Sequence, residues 1–460
     1  MILDLLITGG RVVFPKDGVR ATDIGIKNEK IAVLAEPGQD LSTKKTIDVS
    51  GKIIMPGVID AHEHLGIYNP VDEDFKDTMQ HAVGGVTTIV NYDRHPKSYL
   101  ETFPRLIEIG EENSYIDFSY SLGILKQQHL DELEETVKRF GLTSFKFFRN
   151  YERQLNDKFN IQDGLDLSSQ DLYNILTQFK SISPKLLLGV HCENMDINRS
   201  LIKHYREADE NNGLLTWSKT SPGYAEAESL LSTLYINKIV EGNIYIVHLT
   251  SGASVEVLEN SKWLTESGVK VETCPHYLLL NEEHEVGLKA KVGPPIHTSE
   301  DGDQLWEGIK NGTIHSIGTD HVPNTIGTKF KKGTDTFDAV YGFPSAGALL
   351  PIMITEGYKK RQIPLERIAD MMSLQIAKSF NLENKGRIEI GADADLAIID
   401  LNKKKAVSPE TTYSKLDYNV FDGMELIGWP YITISRGEVI VEKGKPVKGL
   451  GRGRYIRRSI

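Results

Sequence analysis

The stretch VIDAHEHL, from Val58 to Leu65, sets Asp60, His62 and His64 at alternate positions. Side chains on a strand alternate with a period of two, so these three are expected to share one face. Two imidazoles and a carboxylate on one face are able to hold a divalent ion, or simply to end a strand at the surface. Other residues weigh on the choice. Lys146 stands between Phe145 and Phe147 in TSFKFFRNY, His191 ends the run LLLGVH, His248 ends NIYIVH, and Asp320 ends HSIGTD. Each of these alone reads as a hydrogen-bonded core histidine or a helix N-cap. Four histidines, an aspartate and a lysine at the ends of five apolar runs instead point to a metal site, because imidazole and carboxylate ligands suit zinc and related divalent ions. Lys146 has its own chemistry. Burial disfavours the ammonium form and lowers the pKa, leaving a neutral amine. Such an amine can take up carbon dioxide as a carbamate, a two-oxygen anion able to bridge two metals.

The elements that must position these groups alternate along the chain. Apolar, β-branched runs occur near residues 53–60, 86–91, 116–124, 144–148, 186–191, 243–249, 269–274 and 314–319, with helix-like segments such as PGYAEAESLLSTLYINKIVEG between them. Eight such βα units predict an α/β fold, a (β/α)8 TIM barrel with insertions, whose chemistry sits at the C-terminal strand ends. The competing doubly wound sheet lacks a G-x-G-x-x-G after its first strand. Both chain ends read as short strands and turns, in DLLITGGRVV and ITISRGEVIVEKGKPV for example. The expected organisation is a small β-sandwich domain from residues 1–53 and 386–446, a barrel over 54–385, and a C-terminal tail over 447–460.

Composition excludes several function classes. The 460 residues are 40% hydrophobic and 25% charged, ordinary for a globular protein with a sizeable core. A net charge of −11 argues against nucleic acid or an anionic membrane as partner. The basic run GRGRYIRR, Gly451 to Arg458, is the exception and is expected to be solvated or to touch another subunit. The two cysteines, Cys192 and Cys274, form no C-x-x-C pair and fit a reducing compartment. The opening MILDLLITGGRVV has no basic leader and its apolar stretch is interrupted, so a cytoplasmic protein without a membrane span is expected.

The ordered set PGVIDAHEHL, SFKFFRNY, GVHCEN, VHLTSG, VETCPHYLLL, PPI, GTDHVP, KGRIEIGADADLAIID and DYNVFDGMELIGWP resembles the cyclic amidohydrolases, the hydantoinases and dihydropyrimidinases most of all, over nearly the whole chain. That resemblance implies two divalent metal ions, usually Zn2+. His62, His64 and Asp320 match the ligands of one, His191 and His248 those of the other, and Lys146 carbamylated by CO2 would bridge them. Asp60 is expected to orient a histidine rather than bind. Two metals sharing a water lower its pKa, and Asp320 is placed to move its proton to the leaving amide nitrogen. Tyr151 matches the tyrosine that hydrogen-bonds the developing oxyanion, an interaction worth roughly 3 kcal/mol. The implied substrate is a small cyclic amide, a hydantoin or dihydropyrimidine opened to an N-carbamoyl amino acid, and relatives of this kind are commonly homodimers or homotetramers.

Departures from the pattern bear on the pocket. Gly293 stands where a serine usually precedes the Pro-Pro pair, Tyr341 where an asparagine contacts the ring, and Arg149 where a smaller apolar residue is usual. Gly66 replaces the arginine of dihydroorotases, which weakens that reading; allantoinase stays the nearer alternative. A metal-free scaffold relative would not need the six ligand positions, nor a mononuclear deaminase Lys146. His321 is expected to be structural, and the lysines of TKFKKGTDTF to be solvated.

Overall fold

The apolar runs become the parallel strands Val58–Glu63, Val86–Asp93, Asp117–Gly123, Ser144–Phe148, Leu187–His191, Ile244–Ile246, Val269–Thr273 and Ser316–Ile317 in a computed structural model that describes residues 1–151, 161 and 163–460. Each strand pairs with the next in chain order. The barrel closes where Glu63 bridges His321 and the His64 N–H donates to the His321 carbonyl at 2.9 Å. Alternation works as expected on Ser144–Phe148: Phe145 packs outward against Phe179 with ring centroids 5.4 Å apart, while Lys146 points inward. In register with Lys146 on the next strand is Gly189; a Cβ there would stand 3.4 Å from the lysine Cδ.

The first apolar run splits in two. Ile53–Pro56 pairs with Arg11–Phe14 and with Leu396–Ala406, and only Val58–Glu63 enters the barrel. The expected domain boundary after residue 53 therefore falls inside a strand. Gly57 separates the halves at a close approach, since a Cβ there would lie 2.2 Å from Thr87 Oγ1. A four-stranded sheet from the N-terminal end and a seven-stranded sheet from both chain ends enclose Ile7, Val12, Ile24, Ile54, Ile398 and Ile434. This is the expected sandwich of chain ends.

The basic tail is pinned to the barrel, with Arg454 and Arg457 exposed and Arg458 buried. The Ile456 N–H donates to Phe118 O at 2.8 Å, and Arg454 forks onto the Glu29 carboxylate at 2.7 Å through both terminal nitrogens. Arg458 is 4% exposed and donates to Ser144 Oγ, Tyr120 O and Phe380 O at the barrel floor. Carbonyls at the starts of the strands supply acceptors that a basic tail can fill. Lys329, expected in solvent, is likewise buried and donates to the carbonyls of Lys291 and Gly342. Among the described residues no helix is long and apolar enough to cross a membrane.

Candidate metal centre

Strand ends one and eight bring together the groups of the first expected ligand set. His64 Nε2 lies 3.0 Å and His62 Nε2 3.5 Å from Asp320 Oδ1, and the three donor groups lie within 4.8 Å of one another. Burial takes His64 down to about 4 against the pull of Asp320, so its imidazole is neutral. Burial acts to raise the Asp320 carboxyl, yet His62 and His64 hold it well below the usual carboxylate range. A neutral His64 facing an ionised carboxylate is the pair of protonation states that ligation requires.

The second set stands against the first. His248 stacks on His62 with ring centroids 5.4 Å apart and meets His191 edge-on at 4.4 Å. Burial, then His191 and Lys146, keep His248 well below its ordinary pKa. Lys146 is 1% exposed, and burial takes its ammonium from 10.5 to about 7 despite Asp320 and Glu272. Its Nζ, His62 Nε2 and His248 Nδ1 are buried without hydrogen-bond partners among the described residues. Orphaned donors and lone pairs contributed by three strands are costly unless something occupies the space between them. The residues present fit a metal group.

Asp60 behaves differently from expectation. The strand pairing slips between Asp60 and Glu63, so Asp60 leaves the face of His62 and His64 and joins Glu63 and His81 in a second buried group. Its Oδ1 accepts the backbone N–H of Thr319 at 3.0 Å and of His62 at 3.3 Å, and it orients no imidazole of the site. That task falls to Glu272, a residue sequence reasoning missed. Its Oε1 is 2.7 Å from His62 Nδ1, and its Oε2 accepts Tyr245 OH at 2.8 Å. Glu193 was also missed, although it lies two residues beyond His191, on the same side of an extended chain. It hydrogen-bonds His191 Nε2 and accepts Asn198 Nδ2 at 3.0 Å and Ser221 Oγ at 2.6 Å. His321 is structural as expected, its Nδ1 accepting the Ser345 N–H at 3.0 Å.

A cavity of about 820 Å³ opens over these groups and is lined by His64, Lys146, His191, His248 and Asp320 together with Tyr151, Gly293 and Tyr341. Tyr151 stacks on Phe148 with centroids 5.4 Å apart. A Cβ on Gly293 would stand 3.4 Å from the Tyr341 ring, an ordinary contact, so the two residues form one wall of the cavity. Tyr68 OH donates to Tyr341 O at 2.9 Å and fixes the segment. Arg149 is not a pocket residue. The turn Arg149–Tyr151 sends its guanidinium outward to Ser229 O and Thr233 Oγ1, both at 3.2 Å.

An eight-stranded parallel barrel with histidines, a lysine and an aspartate at its strand ends defines a barrel hydrolase of the metal-dependent kind. More particularly, the chain belongs to the amidohydrolase family, whose model matches residues 197–440. It is 31% identical to a D-hydantoinase of Geobacillus stearothermophilus, over 99% of this chain and 96% of that protein. It is 31% identical to an allantoinase of Deinococcus radiodurans, over 99% of both chains. The crystal structure of a dihydropyrimidinase from Brevibacillus agri superimposes with a TM-score of 0.89 at 28% identity, covering 99% of this chain and 98% of that one.

Proposed function

We propose that this protein opens the ring of a hydantoin or dihydropyrimidine by hydrolysing its amide C–N bond to give an N-carbamoyl amino acid. The observation that carries the reading is the buried meeting of His62, His64 and Asp320 beside an inward Lys146 at the floor of an open cavity. In this reading His62, His64 and Asp320 would hold one divalent ion and His191 and His248 a second, and Lys146, as its carbamate, would serve both. Zinc is the metal proposed, from the nitrogen and oxygen donors. When bound, the ions supply Lewis acidity to the ring carbonyl and lower the pKa of a water.

The chain's own residues do the rest. Asp320 accepts a proton from the attacking water and returns it to the ring nitrogen as the C–N bond breaks, since an amide anion leaves poorly. The Tyr151 hydroxyl donates to the carbonyl oxygen as it gains charge. Gly293 and Tyr341 shape the wall against which the ring lies. Glu193 holds His191 by its Nε2 while its other oxygen accepts Asn198 and Ser221, which leaves Nδ1 as the nitrogen His191 would offer to a metal. We further propose a cytoplasmic homodimer or homotetramer.

The test is hydrolysis of dihydrouracil, hydantoin, 5-substituted hydantoins, allantoin and dihydroorotate by zinc-loaded protein supplied with bicarbonate, beside a Lys146→Ala variant. Turnover of dihydrouracil or a hydantoin, lost in the variant, is the expected result. The allantoinase relative makes allantoin, a hydantoin with a 5-ureido arm, the informative competitor: turnover of allantoin alone would narrow the substrate to that arm.

A further inference from the structure

The cavity wall is cationic in a chain whose net charge is −11. Arg94 follows directly on the strand Val86–Asp93 and lines the cavity along with Lys146 and Tyr151. Its guanidinium carbon stands 5.3 Å from the Phe148 ring centroid and 5.5 Å from that of Tyr151. The adjacent Asp93 turns to His95 at 3.4 Å, and among the described residues no carboxylate is ion-paired with Arg94. A second wall is the helix Met195–Glu207, which presents Arg199, Lys203 and Arg206 to the same cavity at four- and three-residue spacing. Lys203 has Glu207 beside it at 3.8 Å and Arg199 has Asp196 at 3.5 Å, whereas Arg206 lies over the Phe337 ring at 4.8 Å.

A guanidinium settled over aromatic faces keeps its planar fork of donors available for an anion, and carboxylate is the planar anion that matches it. We propose that the ring taken by this site carries a carboxylate arm, and that Arg94 binds that arm while the cations of Met195–Glu207 draw the substrate in. The inference rests on the ring-opening reading above and narrows its substrate class. It also gives the cavity a device for choosing among cyclic amides that the metal-binding side chains, common to all of them, cannot provide. A purely structural Arg94, stacked on Phe148 and Tyr151, would be indifferent to substrate charge.

The experiment compares hydantoin-5-acetate with hydantoin-5-acetamide, which differ by one charge and hardly in shape, for wild-type protein and Arg94→Gln, with unsubstituted hydantoin as reference. A hydrogen-bonded charge is worth about 1.5–3 kcal/mol, so wild-type kcat/KM should favour the acid by roughly 10- to 100-fold. Arg94→Gln should erase that preference through KM, bringing the acid-to-amide ratio to near one, and added salt should slow only the acid. Equal wild-type rates for acid and amide, or an equal loss on both in the variant, would overturn the inference. The wild-type ratio decides the matter even where the variant fails to fold. Turnover of hydantoin without turnover of the acid sinks the carboxylate arm and spares ring opening. Silence on every ring sinks both.

Discussion

Glu272 offers the sharpest test of how the site is held. Its side chain is fully buried, and three donors reach it: His62 Nδ1 at 2.7 Å, Tyr245 OH at 2.8 Å and the His248 backbone N–H at 3.2 Å. The first bond fixes His62 with its proton on Nδ1 and its Nε2 lone pair turned to Asp320. Glu272→Gln keeps the shape and an acceptor for His62 but removes the charge. A hydrogen bond to a charged group contributes about 1.5–3 kcal/mol and a neutral one about 1, so the variant loses about 0.5–2 kcal/mol of orientation. That corresponds to roughly 2- to 30-fold weaker metal binding, overlapping the lower part of the range usual for groups that support a metal ligand. Glu272→Leu strands all three donors at about 1–3 kcal/mol each and should unfold the apo protein at markedly lower denaturant. The assay is metal content by elemental analysis across a chelator-buffered zinc series, with apo stability measured alongside. Should Glu272→Gln take up metal at wild-type free zinc, then His62 is not oriented through this bond and the account of the site fails.

Other perturbations follow from burial. Only the neutral amine of Lys146 combines with carbon dioxide, and its pKa lies near 7, so uptake of one CO2 by apo protein, read by native mass spectrometry, should rise between pH 6 and 8 and be absent in Lys146→Arg; uptake beginning only above pH 9 would refute a desolvated lysine. Arg149→Met removes donors to Ser229 O and Thr233 Oγ1, and should lower stability by about 1–3 kcal/mol while leaving the order of preferred rings unchanged. A reordered substrate panel would return Arg149 to the pocket. Arg458→Ala strips the acceptors Tyr120 O and Phe380 O of their partner at the barrel floor, and denaturant unfolding should report a loss of about 3 kcal/mol or more; unchanged stability would mean that the tail merely rests there.

The strand ends were legible because one rule reaches them. A period of two carries Lys146 and His191 to the inward face and no distant partner is needed to say so, whereas His248 lies beyond the strand Ile244–Ile246 at a backbone φ of 39° that alternation does not describe. The rule breaks at Asp60, where the pairing slip before Glu63 turns the carboxylate towards His81. A bulge of that kind is decided by the neighbouring strand, which the local pattern does not contain.

The unread residues share a physical cause. Glu272 in VKVET occupies an alternating position that suits a solvated strand as well as a buried one, and its partner His62 lies 210 residues earlier. Arg149 sits two residues before Tyr151 and so invites a place in the pocket, but a single turn sends it to a helix 80 residues on. Arg458 reads as one more charge in a basic tail until the carbonyls of Tyr120 and Phe380 are set beneath it. In each case a charged group is buried because a remote, complementary group makes the burial tolerable. Local chemistry therefore names the groups that face a metal, while the residues that hold those groups still are chosen by the fold. The carboxylate behind His62 and the arginine beneath the barrel belong to that second kind, and their substitution should be felt as lost metal affinity or stability before any change in the bond that is broken.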